Sequence, residues 1–359
     1  MISVVNNNRV NAITGLFDRA SFLLYSLFLV ALSGLTGCDS SPEIIKISGT
    51  KMGTSYHITV VADQPAPADL AQRIEAALDL VDQSMSTYKS NSEISQFNAQ
   101  PVAEPQMISP QFADVLDVSK LVWEQSAGAF DPTVGPLVDL WGFGPVPTDD
   151  VVPADEQIAQ ALENTGYQHL DMDMQMISKS SPIRLDLSAV AKGYAVDQVA
   201  DLLEMLALPD YLVEIGGEMR LGGFNPDGQP WRIAVEMPAV IPQVQRVIAA
   251  HNVAIATSGD YRNYFEQDGV RYSHTIDPRT GRPIRHNLAS VTVVDETCAE
   301  ADAWATALMV LGEEQGMALA EQLGLAIYML VKDGEEFKAL SSEAFAPYLL
   351  ATKPTEQEA

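Results

Sequence analysis

Residues 128–145, GAFDPTVGPLVDLWGFGP, constrain the fold more than any other stretch of the chain. Proline has no backbone N–H and a fixed φ, and glycine loosens the backbone. Four Gly and three Pro in one short segment therefore rule out a continuous helix or strand. Yet Phe130, Val134, Leu137, Val138, Leu140, Trp141 and Phe143 are apolar or aromatic, and such side chains leave water when a core is available. The segment is predicted to be irregular and packed into a cleft. With 359 residues and 47% hydrophobic content, the chain can bury a sizeable core, in one large domain or two lobes.

The elements around that cleft follow from periodicity. Strands are predicted over Ile44–Lys51 and Tyr56–Val61, turning at Met52-Gly53-Thr54. Helices are predicted over Asp69–Met85 and Ser109–Ser126, where Leu70, Ile74, Leu78 and Val81, then Phe112, Val115 and Leu116, recur at helical spacing. Residues 86–98, STYKSNSEISQFN, read as a loop of turn formers. Further on come a short polar helix over Pro153–Gly166, a strand pair at Gln175–Ser178 and Ile183–Leu187, and a helix over Ser188–Leu206. A hairpin turns at Gly216-Gly217, and strands cover Trp231–Glu236, Val253–Thr257, Tyr272–Ile276 and Ala289–Val294. Helices Ala299–Leu311 and Glu313–Leu323 precede a last hairpin across Asp333-Gly334. Strands and helices mix without a strict βαβ rhythm, so the expected class is α+β or mixed α/β rather than a doubly wound sheet.

The first 37 residues are expected to lie outside that fold. Arg9 and Arg19 precede an apolar run, Phe22 to Leu32, of signal-peptide length and shorter than a membrane span. It ends on Leu35-Thr36-Gly37-Cys38, which resembles the bacterial lipobox. That resemblance makes residues 1–37 a signal peptide, Cys38 the lipidated first residue of the mature chain and residues 38–43 a tether. Residues 44–350 are then the folded domain and 351–359 a polar tail. Asp39 resembles an inner-membrane retention signal, giving an expected location on the periplasmic side of the inner membrane. The second cysteine, Cys298, is left without a disulfide partner and reads as a small buried residue. A formal net charge of −27 argues against nucleic acid and against electrostatic docking to anionic lipid. A phosphate ligand would have to be held locally, by backbone N–H groups, a few cations or a metal.

Four stretches carry candidate chemistry. In RLDLSAVAKGYAVD, residues 184–197, an apolar strand ends at Asp186 and a helix starts with Ser188, Ala189, Ala191 and Gly193 almost bare of side chains. Either a ligand reaches the helix N-terminus there, with Lys192 adding charge, or the helix packs tightly on a neighbour. A buried strand delivers Thr257, Ser258 and Gly259 to its C-terminal end, which suits a phosphate or an ordinary strand-to-turn junction. RYSHTIDPRTGRPIRH, residues 271–286, gathers four Arg and two of the five His. His274 and Asp277 could orient one another at the strand end, with Arg279 and Arg282 projecting from a Pro/Gly turn. Asp302 and Thr306 stand four apart on a helix among alanines, so their oxygens share one face. That arrangement suits a hard divalent cation, or an acid at a helix start beside a packed Thr.

Taken in order, Met52-Gly53-Thr54, Ser86-Thr87-Tyr88, AFDPTVGPL at 129–137, DLSAVAKG at 186–193, Glu214-Ile-Gly-Gly217, TSGDY at 257–261, HTIDP at 274–278 and DAWAT at 302–306 resemble the FAD:protein FMN transferase (ApbE) family. The resemblance spans nearly the whole mature chain. It implies mixed sheets with packed helices, in two lobes enclosing a flavin-nucleotide cleft. It implies FAD as substrate, Mg2+ on the pyrophosphate, and attack by an acceptor threonine that keeps FMN and releases AMP. Asp302, Thr306 and the Ala189 carbonyl match the metal ligands. Met52, Tyr88, Ala129, Phe130, Asp131, Asp186, Lys192 and Ile276 match flavin- or adenine-contacting positions, and the Thr257–Gly259 turn would hold phosphate. His274 matches the residue expected to move the acceptor's proton, with Asp277 beside it. The implied partners are acceptor flavoproteins such as subunits of membrane redox pumps. Hydrolysis of FAD to FMN and AMP, or FAD storage without catalysis, could use the same cleft.

Overall fold

The structure, a computed structural model, describes residues 42–145, 151–236, 244–259, 264–267, 269–334 and 336–349. The stretch expected as a signal peptide, Cys38, most of the expected tether, residues 351–359, and Asp260 and Tyr261 of the 257–261 motif lie outside the described residues.

In chain order the elements are β1 (Glu43–Lys51), β2 (Thr54–Ala62), α1 (Leu70–Met85), α2 (Glu93–Ala99), β3 (Gln106–Met107), α3 (Pro110–Gln125), α4 (Gly135–Leu140) and α5 (Asp155–Leu162). Then come β4 (Leu170–Asp173), β5 (Met176–Lys179), α6 (Ala191–Met205), β6 (Asp210–Ile215), β7 (Glu218–Gly222), β8 (Trp231–Glu236), β9 (Val244–Ala250) and β10 (Val253–Gly259). The last are β11 (Tyr264–Gln267), β12 (Val270–Ser273), β13 (Ile276–Asp277), β14 (Arg282–Pro283), β15 (Leu288–Asp295), α7 (Cys298–Leu323), β16 (Ala326–Asp333) and β17 (Glu336–Ser341).

Eight strands form an antiparallel sheet in the order β1-β2-β6-β7-β10-β15-β16-β17. Both faces are covered, and the strand alternation shows how. Ala254, Ala256, Val291, Val293, Ile327 and Met329 face a cluster shared with α1, α3, α6 and α7. Their neighbours Ile255, Val294, Tyr328 and Leu330 face a second cluster, under the β8–β9 hairpin and Phe345. A third cluster joins Leu137 and Trp141 to Ile158, Phe265, Tyr272 and Ile276. The Gly/Pro segment is thus packed, as its composition demands. Residues from Glu43 onward make one compact unit, so the division expected as two lobes is one of separate cores within it. No described helix is long and apolar enough to cross a membrane.

Several local expectations need correction. The supposed loop at 86–98 contains the start of α2: Ser92 Oγ accepts the Ser95 N–H at 3.2 Å, and Ile94 and Phe97 are fully buried. Within 128–145 the chain manages one short helix, α4, because Pro136 sits in its first turn, where no N–H is needed. Residues 183–187 are not a strand partner of β5, which pairs with β3 and β4 instead. Their alternation reflects burial, and the Asn98 side chain replaces the ladder: its Nδ2 donates to the Leu185 carbonyl at 2.9 Å and its Oδ1 accepts the Leu185 N–H at 2.7 Å. Helix α6 begins at Ala191, after a turn at 188–190, and α5 is shorter than expected at both ends. Strand β9 had no prior expectation. The strand expected over Tyr272–Ile276 is broken at His274 and Thr275, leaving β12 and β13 on either side.

The break expected between Leu311 and Glu313 is present. Gly312 takes φ 76°, a left-handed value, and a Cβ there would lie 2.8 Å from the His286 ring.

Candidate active site

Three of the four singled-out stretches meet around the first turns of α7. The helix starts cleanly because Thr297 Oγ1 accepts the Glu300 N–H at 3.3 Å. Asp197, from α6, takes the first two donors of the helix, which have no partner within it: its carboxylate accepts the Cys298 and Ala299 N–H groups, each at 2.9 Å. Asp302 follows on the face turned to α6. It is 3% exposed, and its Oδ2 accepts the Gly193 N–H at 3.1 Å. One turn on, Thr306 Oγ1 lies 3.2 Å from Ser258 Oγ at the end of β10, while Thr257 Oγ1 lies 2.8 Å from Thr292 Oγ1. Helix α6 thus brings a backbone N–H to the Asp302 carboxylate, and the β10 end brings a hydroxyl to Thr306.

The bare start of α6 has two causes at once. A Cβ on Gly193 would stand 2.2 Å from the Cys298 carbonyl oxygen, so the two helices need glycine there. The same contact delivers the Gly193 N–H to Asp302. Just upstream, Asp186 Oδ1 accepts the Ser188 N–H at 2.9 Å and leaves Ala189 half-buried in the turn.

Lys192 ties in a residue that the motifs had left aside. Its Nζ lies 2.9 Å from Glu218 Oε1, on β7, and 3.6 Å from Asp302 Oδ2. Burial pushes the Glu218 carboxyl up, to about 7; the Asp302 charge adds to the rise and Lys192 opposes it. Burial alone would lower the Lys192 pKa, but Asp302 and Glu218 outweigh it, so the ammonium is held above its usual range. Two carboxylates face one ammonium, and Glu218 Oε2 is buried without a hydrogen-bond partner. Among the described residues no cluster of three His, Cys, Asp or Glu could hold a metal. A cation here must therefore use mixed oxygens, and the Asp302 carboxylate, Thr306 hydroxyl and Ala189 carbonyl are the hard donors Mg2+ prefers. The surplus negative charge and the spare buried oxygen fit such an ion.

Cys298 takes no part. It is fully buried and free, and burial, with Asp197 and Asp302 nearby, pushes its thiol well up.

The 271–286 stretch forms a second group with the Gly/Pro segment. His274 sits at the bend between β12 and β13, its ring edge-on to Phe143 with centroids 6.3 Å apart. Trp141 Nε1 donates to the Gly281 carbonyl at 2.8 Å, and the Trp141 ring stacks on Tyr272. Ile276 is buried among these rings. Asp277 turns both carboxylate oxygens to Arg279, which donates from Nε and Nη2 at 2.9 Å each. The Arg residues are thus engaged within the chain: Arg282 pairs with Asp155 at 2.6 Å, and Arg285 and Arg271 lie over the Tyr272 and Tyr264 rings.

Asp131 organises the segment from inside. Its Oδ1 accepts from the Thr133 N–H at 2.8 Å and the Thr133 hydroxyl at 2.6 Å, and its Oδ2 accepts the Tyr167 N–H at 3.2 Å. Burial still raises its pKa against these bonds. Ala129 and Phe130 are buried beside it. A cavity of about 440 Å3 opens between Trp123, Gly128, Asp131, Gly166, Pro278 and Arg279. The segment is also bound to the chain ahead of the 188–190 turn, since the Asp186 N–H donates to the Pro132 carbonyl at 2.8 Å. Met52 is half-buried in the β1–β2 turn with φ 53°, and Tyr88 is 76% exposed after α1.

Sequence reasoning had passed over Glu218, Asp197 and Arg220. Arg220 Nη1 pairs with Asp197 at 3.0 Å and Asp201 at 2.9 Å, bracing the capping carboxylate. Glu218 carried a usable signal: an acid directly after a Gly-Gly turn, at a strand position facing the helices.

The fold thus holds a helix-backed antiparallel sheet, a carboxylate and hydroxyls gathered at a helix start, and a cavity walled by the Gly/Pro segment. The ApbE family model matches residues 52–329. A FAD:protein FMN transferase of Vibrio cholerae is 48% identical over 90% of this chain and 98% of its own length. The Escherichia coli K12 protein of the same name is 41% identical over 94% of this chain and 99% of its own. Among solved structures, the flavin transferase ApbE from Vibrio cholerae superposes with a TM-score of 0.80 at 46% identity, covering 86% of this chain and all of that one. The apo flavinyl transferase ApbE of Pseudomonas stutzeri gives 0.80 at 42% identity, covering 86% of this chain and 97% of that one. The chain belongs to the ApbE family.

Proposed function

We propose that this chain is an FAD:protein FMN transferase that moves FMN from FAD to a threonine of an acceptor protein and releases AMP. The observation that supports the reading is the pair of contacts around the start of α7, Asp302 to the Gly193 N–H and Thr306 to the Ser258 hydroxyl. Relatives with this transferase name match nine-tenths or more of the chain.

In this reading Asp302, Thr306 and the Ala189 carbonyl hold Mg2+, which supplies charge neutralisation at the FAD pyrophosphate. The acceptor hydroxyl oxygen bonds to the FMN-side phosphorus, and the bridging P–O bond breaks. AMP leaves with the bridging oxygen. His274, at the bend between β12 and β13, takes the hydroxyl proton. Asp277 acts through Arg279 to fix the turn that carries His274. Ser258, Gly259 and Thr257 border the phosphates. Asp131 lines the cavity with Ala129 and Phe130 packed in the core beside it, and Met52, Tyr88, Asp186 and Ile276 line the nucleotide. Residues 1–37 export the chain, Cys38 anchors it by lipid to the periplasmic side of the inner membrane, and residues 44–350 work there on acceptor flavoproteins.

Incubation of the protein with FAD, Mg2+ and a candidate acceptor tests this. A fluorescent acceptor band in a denaturing gel supports transfer. Free FMN without that band assigns the site to hydrolysis, and bound FAD with no AMP assigns it to storage.

A further inference from the structure

We propose that Glu218 is a positioning residue for the cation site: it draws the Lys192 ammonium away from Asp302 and so frees that carboxylate for a divalent ion. The inference rests on the reading of Asp302 as a metal ligand.

Lys192 has two carboxylates within reach, and its Nζ stands closer to Glu218, at 2.9 Å, than to Asp302, at 3.6 Å. An ammonium and a divalent cation drawn to one carboxylate repel each other strongly at low dielectric. One must yield. Asp302 is held in place, because the oxygen nearest the ammonium also accepts the Gly193 N–H at 3.1 Å. Lys192 can yield: it is a flexible side chain and remains 30% exposed. Glu218 is built to receive it. The side chain is buried on β7, and its Oε2 has no hydrogen-bond partner, an unusual state for a buried carboxylate oxygen. With Oε1 already on the ammonium, Oε2 offers the second acceptor that Lys192 gains on leaving Asp302. Take Glu218 away, and the ammonium's remaining carboxylate is the one the cation needs.

The test is equilibrium Mn2+ binding to the FAD-free, detergent-solubilised full chain, with free Mn2+ followed by its electron paramagnetic resonance signal. Glu218→Gln is expected to weaken binding by about tenfold or more, the range found when a group behind a metal ligand is lost. Glu218→Asp keeps the charge but shortens the reach, and is expected to weaken binding several-fold; a mere field effect would leave it at wild type. Lys192→Met binds at least as tightly as wild type, and Lys192→Met with Glu218→Gln returns to within about threefold of it. The proposal is overturned if Glu218→Asp and Glu218→Gln bind as wild type. It is equally overturned if the double variant stays as weak as Glu218→Gln, since Glu218 would then be a ligand itself. Wild-type binding by Asp302→Ala would sink the metal reading, and the proposal with it. Coincident thermal melts of the variants show that each is folded, and Lys192→Met tests the idea even if Glu218 variants misfold.

Discussion

The Asp302 carboxylate accepts the Gly193 N–H at 3.1 Å, and through that bond the first turn of α6 and the second turn of α7 become parts of one site. The bond exists only because glycine lets α6 approach the Cys298 carbonyl.

Gly193→Ala should therefore act on stability and site together. The added Cβ would stand 2.2 Å from backbone, and overpacking of this kind costs about 1–3 kcal/mol. Urea unfolding should show that loss, with AMP release falling more steeply than the folded fraction.

His274→Ala should lower AMP release by roughly a hundredfold or more, the range for a lost general base. FAD affinity, measured by fluorescence quenching, should change little, because the ring packs edge-on to Phe143 rather than anchoring the core.

Asn98→Ala should cost about 1–3 kcal/mol, since it strips both backbone partners from Leu185. Chemical denaturation measures the loss. The Asp186 turn lies next in the chain, so turnover should fall as well. Asn98→Asp keeps one acceptor and should lie between the two.

Glu218 gives a pH signature. Burial raises its carboxyl to about 7 in the folded metal-free chain, against about 4.3 in an unfolded one. Between those values the folded state binds the proton more often, so stability falls as pH rises through that window. Unfolding free energies of wild type and Glu218→Gln should converge below about pH 4 and separate up to about pH 7, with wild type losing more. A constant difference across that range would contradict the buried, proton-holding Glu218.

Much of this was legible in the chain because single residues announced it. Gly312 marked the break in α7, the Gly216-Gly217 and Asp333-Gly334 turns marked hairpins, and Asp302 with Thr306 marked a helix face. Other features rest on contacts between distant segments. The Asn98 side chain substitutes for a strand at Leu185 across 87 positions, and nothing local to 183–187 distinguishes that from a sheet. Strand β12 ends at Ser273, with Tyr272 stacked on Trp141 of the Gly/Pro segment and on its cross-strand partner Phe265, contacts that nothing local to 272–276 shows. The four Arg at 271–285 stood out by composition alone. In the fold Arg279 and Arg282 answer carboxylates and Arg271 and Arg285 lie over aromatic rings, and pairing of that kind is invisible until the chain is folded.

The central claim is that the Asp302 site couples cleavage of FAD to transfer onto protein. Its most direct measurement counts AMP and acceptor-bound FMN in the same reaction, for wild type and Asp302→Ala. The account predicts equal amounts of the two products from wild type and neither from the variant. AMP accompanied by an equal amount of free FMN, with no flavin on the acceptor, would contradict it.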